Sequence, residues 1–182
     1  MKKHSCGAIL YTIYKNDIYI ILGMEKGQWF PFKGTKEKGE TNEMTAMREI
    51  QEETCDTVYV RSISLDCNYS SKRKHYHIGL IQVSSLIINE FYRNRDNLLS
   101  EYRSYDKYYP YLEKTGMRMF SLTHIFKNNF HDITISPISY YYPYLRLLQK
   151  KLKKHPLGLD VKSKHLDTNA LDFQKNFTSV TI

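Results

Sequence analysis

Long apolar runs are missing from this chain. No stretch approaches the ~18 residues that a membrane-spanning helix requires, and the apolar segment Ile-Tyr-Ile-Ile-Leu at 18–22 reads as a strand. No signal-peptide core or cleavage pattern follows the charged start Met-Lys-Lys-His-Ser-Cys-Gly. Cysteine is scarce: Cys6, Cys55 and Cys67 are odd in number and lack zinc-ligand spacing. That usage fits a reducing cytosol, so a cytoplasmic location is expected. Internal repeats are absent. Acidic residues are outnumbered, 19 against 27 Lys and Arg, for a formal net charge of +8. Such an excess favours polyanionic partners such as RNA, polyphosphate or an anionic membrane surface, unless it serves solubility alone. Tryptophan occurs once, against 16 tyrosines.

What is present is ordinary for a globular protein. Hydrophobic residues make up 41% and charged residues 25%, in a length of 182 that suits one domain with a real core. Residues 6–13 and 18–24 are β-branched and aromatic, joined by Lys15-Asn16-Asp17, and predict a hairpin. A loop punctuated by glycine and proline runs from Gly27 to Gly39. A helix is expected from about Glu43 to Thr54, strands over 57–66 and 75–87, and a short strand at Met117-Arg118-Met119-Phe120. Ser121 can cap a helix over 122–129. Ser136-Pro137 can start a last helix running to about Lys154, kinked or delayed at Pro143.

The expected helix carries the chemistry. In Arg48-Glu49-Ile50-Gln51-Glu52-Glu53, three carboxylates stand at i, i+3 and i+4 and share one face. Met44, Met47 and Ile50 fall on the other side, so one face is expected to pack and the other to concentrate negative charge. Clustered carboxylates repel unless a cation sits among them. A hard divalent cation with oxygen ligands answers that need. A solvated acidic helix face is the simpler alternative, but it leaves Gly34, Glu40 and Arg48 without a part.

The spacing resembles the Nudix box, Gly-x5-Glu-x7-Arg-Glu-U-x-Glu-Glu-x-Gly-U, with U aliphatic. Gly34, Glu40, Arg48, Glu49, Ile50, Glu52 and Glu53 match seven of its nine specified positions; Cys55 replaces the second Gly and Asp56 the last aliphatic. That Gly serves a left-handed exit from the helix, so Cys55 puts the helix end in question. The resemblance covers about residues 5–154 and implies an α/β/α sandwich with a mixed central sheet. On that reading residues 1–155 form the Nudix domain, with a Tyr-rich insertion at about 88–115, and 156–182 form a C-terminal extension without a motif. It also implies hydrolysis of a nucleoside diphosphate linked to another group, with Mg²⁺ or Mn²⁺ held by Glu49, Glu52 and Glu53. Arg48 is implied to orient a glutamate and Glu40 to support the helix start. Gly34 and Gly39 permit the tight loop, and Gly34 can leave a neighbouring carbonyl facing the metal.

The box does not specify a general base. Here the chain is similar to the mRNA-decapping branch of the family, found in eukaryotes and large DNA viruses. That branch has a Trp-x-Phe-Pro-Lys-Gly-Lys run before the box; this chain has Trp29-Phe30-Pro31-Phe32-Lys33-Gly34-Thr35-Lys36, shifted by one residue. The branch also has a glutamate six residues before an aromatic pair, and Glu113 stands six before Met119-Phe120. Glu113 is therefore the candidate base or extra ligand, with Glu90 and Glu101 as alternatives and an ordinary loop glutamate as the bland reading. Trp29 can stack a base or belong to the core. Lys33 and Lys36 can bind phosphate or stay solvated. Tyr92, Tyr102, Tyr105, Tyr108, Tyr109 and Tyr111, interleaved with Arg93, Arg95 and Arg103, suit an RNA-binding loop or a helix over Phe91–Arg103 packing Leu98 and Leu99 on the core. Arg146, Lys150, Lys151, Lys153 and Lys154 suit an RNA-backbone track or a solvated face. Three functions are in play: a cap hydrolase acting on capped RNA, a hydrolase of diadenosine or diphosphoinositol polyphosphates, and a non-enzymatic RNA or nucleotide-binding module.

Overall fold

Strand β1 (Lys3–Tyr14) and strand β2 (Asp17–Glu25) pair antiparallel, with Leu10 opposite Ile21 and Tyr14 opposite Asp17. This is the expected hairpin. The computed structural model describes residues 2–14, 17–101, 109–127, 145–146 and 149–150. Alternation along the two strands divides their aliphatic residues between opposite faces. Ile9, Ile18, Ile20 and Leu22 line one core, while Ala8, Leu10 and Ile21 line the other. A sheet apolar on both faces must be covered on both. Each fully buried aliphatic side chain contributes about 1.5–3 kcal/mol.

The cover comes from helices. Helix α1 (Asn42–Glu53) and helix α2 (Ile87–Glu101) place Ile50, Ile87 and Phe91 on the core of Leu10, Ile21 and Phe32. Helix α4 (Leu122–Lys127) puts Leu122 and Ile125 on the opposite core with Ile20 and Ile78, where Leu145 is also buried. Ser121 caps it, its hydroxyl accepting from His124 N at 3.2 Å. A short helix α3 (Tyr109–Leu112) lies between α2 and the last strand.

The seven-stranded sheet is mixed. Strands β3 (Gln28–Phe30), β4 (Phe32–Thr35), β5 (Cys67–Ser70), β6 (Lys74–Gln82) and β7 (Gly116–Ser121) complete it in the order β3-β2-β1-β6-β5, with β4 on β1 and β7 on β2. β6 runs parallel to β1, pairing Ile9 with Leu80, and all other pairings are antiparallel. The α/β/α sandwich is thus as expected.

Three expected elements differ. The loop from Gly27 to Gly39 contains β3 and β4. No strand forms over 57–66: Val58, Val60 and Ile63 pack on the core, but β5 takes the sheet edge instead. Alternation reports which side is buried, not whether a ladder partner exists. The second predicted strand ends at Gln82, because Ser84 starts a turn into α2, its hydroxyl accepting from Leu86 N at 3.2 Å. The Tyr-rich segment begins as the helical alternative, with Phe91 fully buried and Leu98 against the core. Tyr102, Tyr105, Tyr108, the residues around Ser136-Pro137 and Pro143, and 156–182 lie outside the described residues. Among the described residues no helix is long and apolar enough to cross a membrane.

Candidate active site

Thr41 caps α1, its hydroxyl accepting from Met44 N at 3.1 Å, and Glu43 in the first turn complements the helix dipole. The buried residues of α1 are Thr45, Ala46, Glu49, Ile50 and Glu53. The expected division into an apolar and an acidic face is therefore corrected. Met44 is 49% exposed, whereas Glu49 is 9% and Glu53 2% exposed. Two carboxylates lie on the packed side because β4 offers them room. Gly34 has no side chain where the Glu49 carboxylate sits, and a Cβ there would overlap it. Gly34 is required for that contact; Gly39, at φ +91°, is the loop position that needs glycine's freedom.

The helix ends without glycine. Cys55 and Asp56 take φ 52° and 57°. Cys55 N donates to Glu52 O at 3.1 Å and Asp56 N to Gln51 O at 2.9 Å, the paired bonds of a left-handed helix end. A non-glycine residue there costs about 1–2 kcal/mol. Burial offsets it and pushes the Cys55 thiol up to about 12, so the protonated thiol donates to Tyr111 O at 2.9 Å. Asn94 Nδ2 donates to Cys55 O at 3.0 Å.

Arg48 gathers three carboxylates. Its Nε and Nη2 donate to Glu40 at 2.7 and 3.2 Å, its Nη1 to Glu49 and Glu52 at 2.9 Å each, and Nη2 also reaches Thr35 O at 3.2 Å. Glu40 accepts further bonds from Glu37 N and the Thr45 hydroxyl, at 2.9 and 2.8 Å. The Arg48 bond chiefly holds the Glu40 carboxyl at about 2. Arg48 thus touches Glu40, Glu49 and Glu52 at once.

A second cluster surrounds Lys114, which is 1% exposed. Its ammonium donates to Glu53 at 2.9 Å and to Glu25 at 2.8 Å. The Lys114 stem crosses Gly23, where a Cβ would come within 2.9 Å of Cγ and Cδ. Arg95 Nε donates to Lys114 O at 3.2 Å, so α2 holds this segment in place. Glu53 also accepts from Lys33 N at 2.7 Å. Glu25, Glu53 and Glu113 each bring one oxygen within 4.8 Å of the others. Glu113 thus reaches Glu53 of the helix, whereas Glu90 lies in the first turn of α2 and Glu101 is exposed at its end.

Burial pushes Glu49 up to about 7 against the pull of Arg48, and Glu53 up to about 8 against Lys114 and Lys33. The Glu113 charge raises both further, so the two clusters form one electrostatic site. Burial and the Glu25 carboxylate raise Glu113 itself. For Glu25, burial is outweighed by Lys114 and the pKa falls. Among the described residues Glu25, Glu40, Glu49, Glu52, Glu53 and Glu113, six carboxylates, face four local cations, Arg48, Lys114, Lys33 and Lys26. Hard oxygen donors with this excess of negative charge fit a hard divalent cation. Glu25 and Lys114 were not singled out from sequence. Glu25 stands in phase with Ile21 and Gly23, which carried a signal; the burial of Lys114 carried none.

The remaining candidates divide. Trp29 packs edge-on against Phe120, centroids 5.1 Å apart at 70°, partly buried on the core. The Lys33 and Lys114 ammonium groups lie 5.5 and 5.4 Å from the Phe30 centroid. Lys36 donates to Asn42 Oδ1 at 3.2 Å. Arg146 and Lys150 are exposed, with Arg146 5.6 Å from the Phe126 centroid; Lys151, Lys153 and Lys154 lie outside the described residues. His4 joins His75 and His77 on the sheet, but their nitrogens form side-chain bonds rather than a ligand set: His4 with His77 at 3.0 Å, His77 with Asn68 at 2.7 Å and His75 with Ser70 at 2.7 Å.

A mixed sheet between helices, with a carboxylate helix laid on a glycine-bearing strand, defines a protein of the Nudix fold. No family model and no curated protein matches the chain. Solved structures do. A mutT/nudix family protein from Listeria innocua superposes with a TM-score of 0.53 at 13% identity, over 84% of this chain and 92% of that one. The NUDIX domain of Shewanella oneidensis NrtR, complexed with ADP ribose, gives 0.53 at 12% identity, over 84% and 89%. A C. elegans Ap4A hydrolase gives 0.48 at 16% identity, over 84% and 98%.

Proposed function

We propose that the protein is a divalent-metal-dependent Nudix pyrophosphohydrolase that acts on the mRNA cap, releasing 7-methyl-GDP and 5′-monophosphate RNA. The observation that carries the hydrolase reading is the excess of carboxylates around Arg48 and Lys114. Glu49, Glu52 and Glu53 would hold Mg²⁺ or Mn²⁺, and Glu113 is a candidate further ligand. Bound there, the ion would supply charge stabilisation at the phosphates and a water more easily deprotonated. Arg48 fixes Glu49 and Glu52, and Lys114 fixes Glu53, so the ligands are held before substrate arrives. Glu113 takes the proton of the attacking water; its raised pKa brings it nearer the range of an effective base.

The choice of capped RNA rests on the +8 charge and on the Trp29–Lys36 run, whose Lys33 backbone bonds Glu53. Lys33 and Lys36 would meet phosphates, and Trp29 would border the base. Arg146, Lys150, Lys151, Lys153 and Lys154 would extend RNA contact. The three buried thiols suit a reducing cytoplasm. A second reading, hydrolysis of a small nucleoside or inositol polyphosphate, uses the same carboxylates. It is favoured by the NrtR domain of the same fold, which holds ADP ribose. A purely binding module would have no need of Arg48 and its three carboxylate partners.

The test is product analysis. RNA labelled in the cap, diadenosine tetraphosphate and a diphosphoinositol polyphosphate are each incubated with protein and Mn²⁺ or Mg²⁺. Labelled 7-methyl-GDP is the expected product. Turnover of the small substrates alone transfers the assignment to the second reading, and no turnover of any substrate refutes the enzyme.

A further inference from the structure

We infer that the end of the sheet formed by Lys3, Lys74 and the β5–β6 turn is a docking strip for the single-stranded RNA that follows the cap. The inference rests on the reading of capped RNA as substrate. Register puts the strip together. Lys3 stands opposite Lys74 and Ser5 opposite Tyr76 in the β1–β6 pair, and Tyr69 stands opposite Tyr76 in the β5–β6 pair. Residues directly opposite share a face, so Lys3, Lys74, Tyr69 and Tyr76 project together. The Tyr69 and Tyr76 rings stack, with centroids 4.4 Å apart at 6°, and both remain partly exposed. The turn between the strands adds Lys72 and Arg73, both exposed. Its backbone is closed by Ser71 N donating to Lys74 O at 2.8 Å and Lys74 N donating to Ser71 Oγ at 3.0 Å. These cations therefore stand on an ordered hairpin.

Their own strands and turn bring no carboxylate to balance them. Neither β1 nor the run from Cys67 to Gln82 contains a single Asp or Glu. Among the described residues the ion pairs involve Lys26, Arg48 and Lys114 and none of the four strip cations. The strip also reaches the site. Lys33 lies across Gly7, where a Cβ would meet its Cα at 2.5 Å, and Lys33 N bonds Glu53. Lys74 is near enough to act on Lys33, whose pKa burial lowers, Glu53 restores in part, and Lys114 and Lys74 lower further. From β4 across β1 and β6 to β5 is three strand spacings, about 14 Å, a distance that a few nucleotides cover. Cations interleaved with flat aromatic faces match an RNA strand, whose phosphates and bases alternate. An acidic peptide would have no use for the tyrosine stack.

The experiment measures binding of short uncapped single-stranded RNA by fluorescence anisotropy, over a salt series and without divalent metal. Lys3→Ala, Lys72→Ala, Arg73→Ala and Lys74→Ala are combined in one variant. Its affinity at low salt should fall at least about tenfold, and its salt slope should flatten by up to about 3, from −0.7 per phosphate. Tyr76→Leu keeps an apolar stem and removes the ring; it should weaken binding by about 5- to 150-fold, the range of one stacked base. Tyr76→Phe should bind as wild type. For capped substrate, the kcat/KM ratio of long RNA to cap dinucleotide should fall in the fourfold variant. Wild-type affinity and slope in that variant overturn the strip, as does equal affinity for heparin with Tyr76→Leu silent. Weakened RNA binding by variants of a protein that cannot cleave caps keeps the strip and overturns the decapping reading. Cap cleavage with unaltered RNA binding does the reverse.

Discussion

Glu49→Gln replaces a buried carboxyl by a neutral amide of the same shape, and its effect on the metal-free protein should depend on pH. Burial raises the Glu49 pKa from 4.5 to about 7 in the fold. Below pH 4.5 the carboxyl is protonated in both the folded and the unfolded chain and contributes no difference. Between 4.5 and about 7 the unfolded chain ionises while the folded one keeps its proton, so stability falls as pH rises. The full loss is about 3 kcal/mol, reached above pH 7. The amide carries no such loss. Glu49→Gln should therefore match wild type near pH 4 and exceed it by about 3 kcal/mol at pH 8, or by about 6–12 °C in Tm for a chain of this size. Metal should reverse the order. An ion at 100 times its Kd stabilises by about 2.7 kcal/mol, and protons compete for the same oxygens, so the wild-type gain should be larger at pH 8 than at pH 5. The variant should gain much less. Thermal melts by circular dichroism, with EDTA and then with Mg²⁺ or Mn²⁺, measure all four quantities. A pH-independent difference between the two proteins in EDTA would refute the burial argument for Glu49.

Three further outcomes follow from the same geometry. Glu113→Gln should lower kcat by about 10²- to 10⁴-fold with little change in KM, as for loss of a general base; normal turnover, with Glu90→Gln or Glu101→Gln inactive instead, would put the base elsewhere. Gly34→Ala drives a methyl into the Glu49 carboxylate and should lower kcat by about 100-fold, the effect of displacing a site group by roughly an ångström; steady-state kinetics at wild-type rate would show that Glu49 can move away freely. Lys114→Met leaves Glu25 and Glu53 without their shared ammonium and should destabilise the metal-free fold by about 3–5 kcal/mol, part of it recovered with Mn²⁺; urea unfolding at pH 8 measures both, and an unchanged midpoint would mean that the pair is solvated.

The box residues were legible because their spacing is local. Glu40, Arg48, Glu49, Glu52 and Glu53 lie within 14 residues, and helical periodicity alone brings most of them together. The face they use was misread. Periodicity of apolar residues placed Met44 inside, yet α1 buries Glu49 and Glu53 and exposes Met44, because hydropathy cannot register a carboxylate that packs on a glycine. The hairpin followed from β-branched runs and α4 from a serine cap. The segment at 57–66 had the right alternation and still formed no strand, since pairing depends on which segment occupies the edge beside β6. Cys55 shows the reverse case. A departure from the glycine of the box leaves the left-handed exit in place, because burial and the bond to Tyr111 O hold a conformation that propensity disfavours.

Lys114 has a different standing, since nothing in its neighbourhood of sequence announces it. It meets Glu25 across 89 positions, and a lysine on a loop is expected in solvent. Two features of the sequence make its burial possible. Gly23 clears the path of its stem, and Glu25, two residues on along the same strand face, supplies a carboxylate at the end of that path. A side chain at position 23 should expel the ammonium and leave Glu53 only its bond from Lys33 N, whereas removing Glu25 should leave Lys114 paired with Glu53 alone. The helix carboxylates are thus held from two directions, by Arg48 from within the box and by Lys114 from outside it. Neither cation neutralises the whole set. The charge left over gives a divalent ion a reason to bind between two clusters that are already in place.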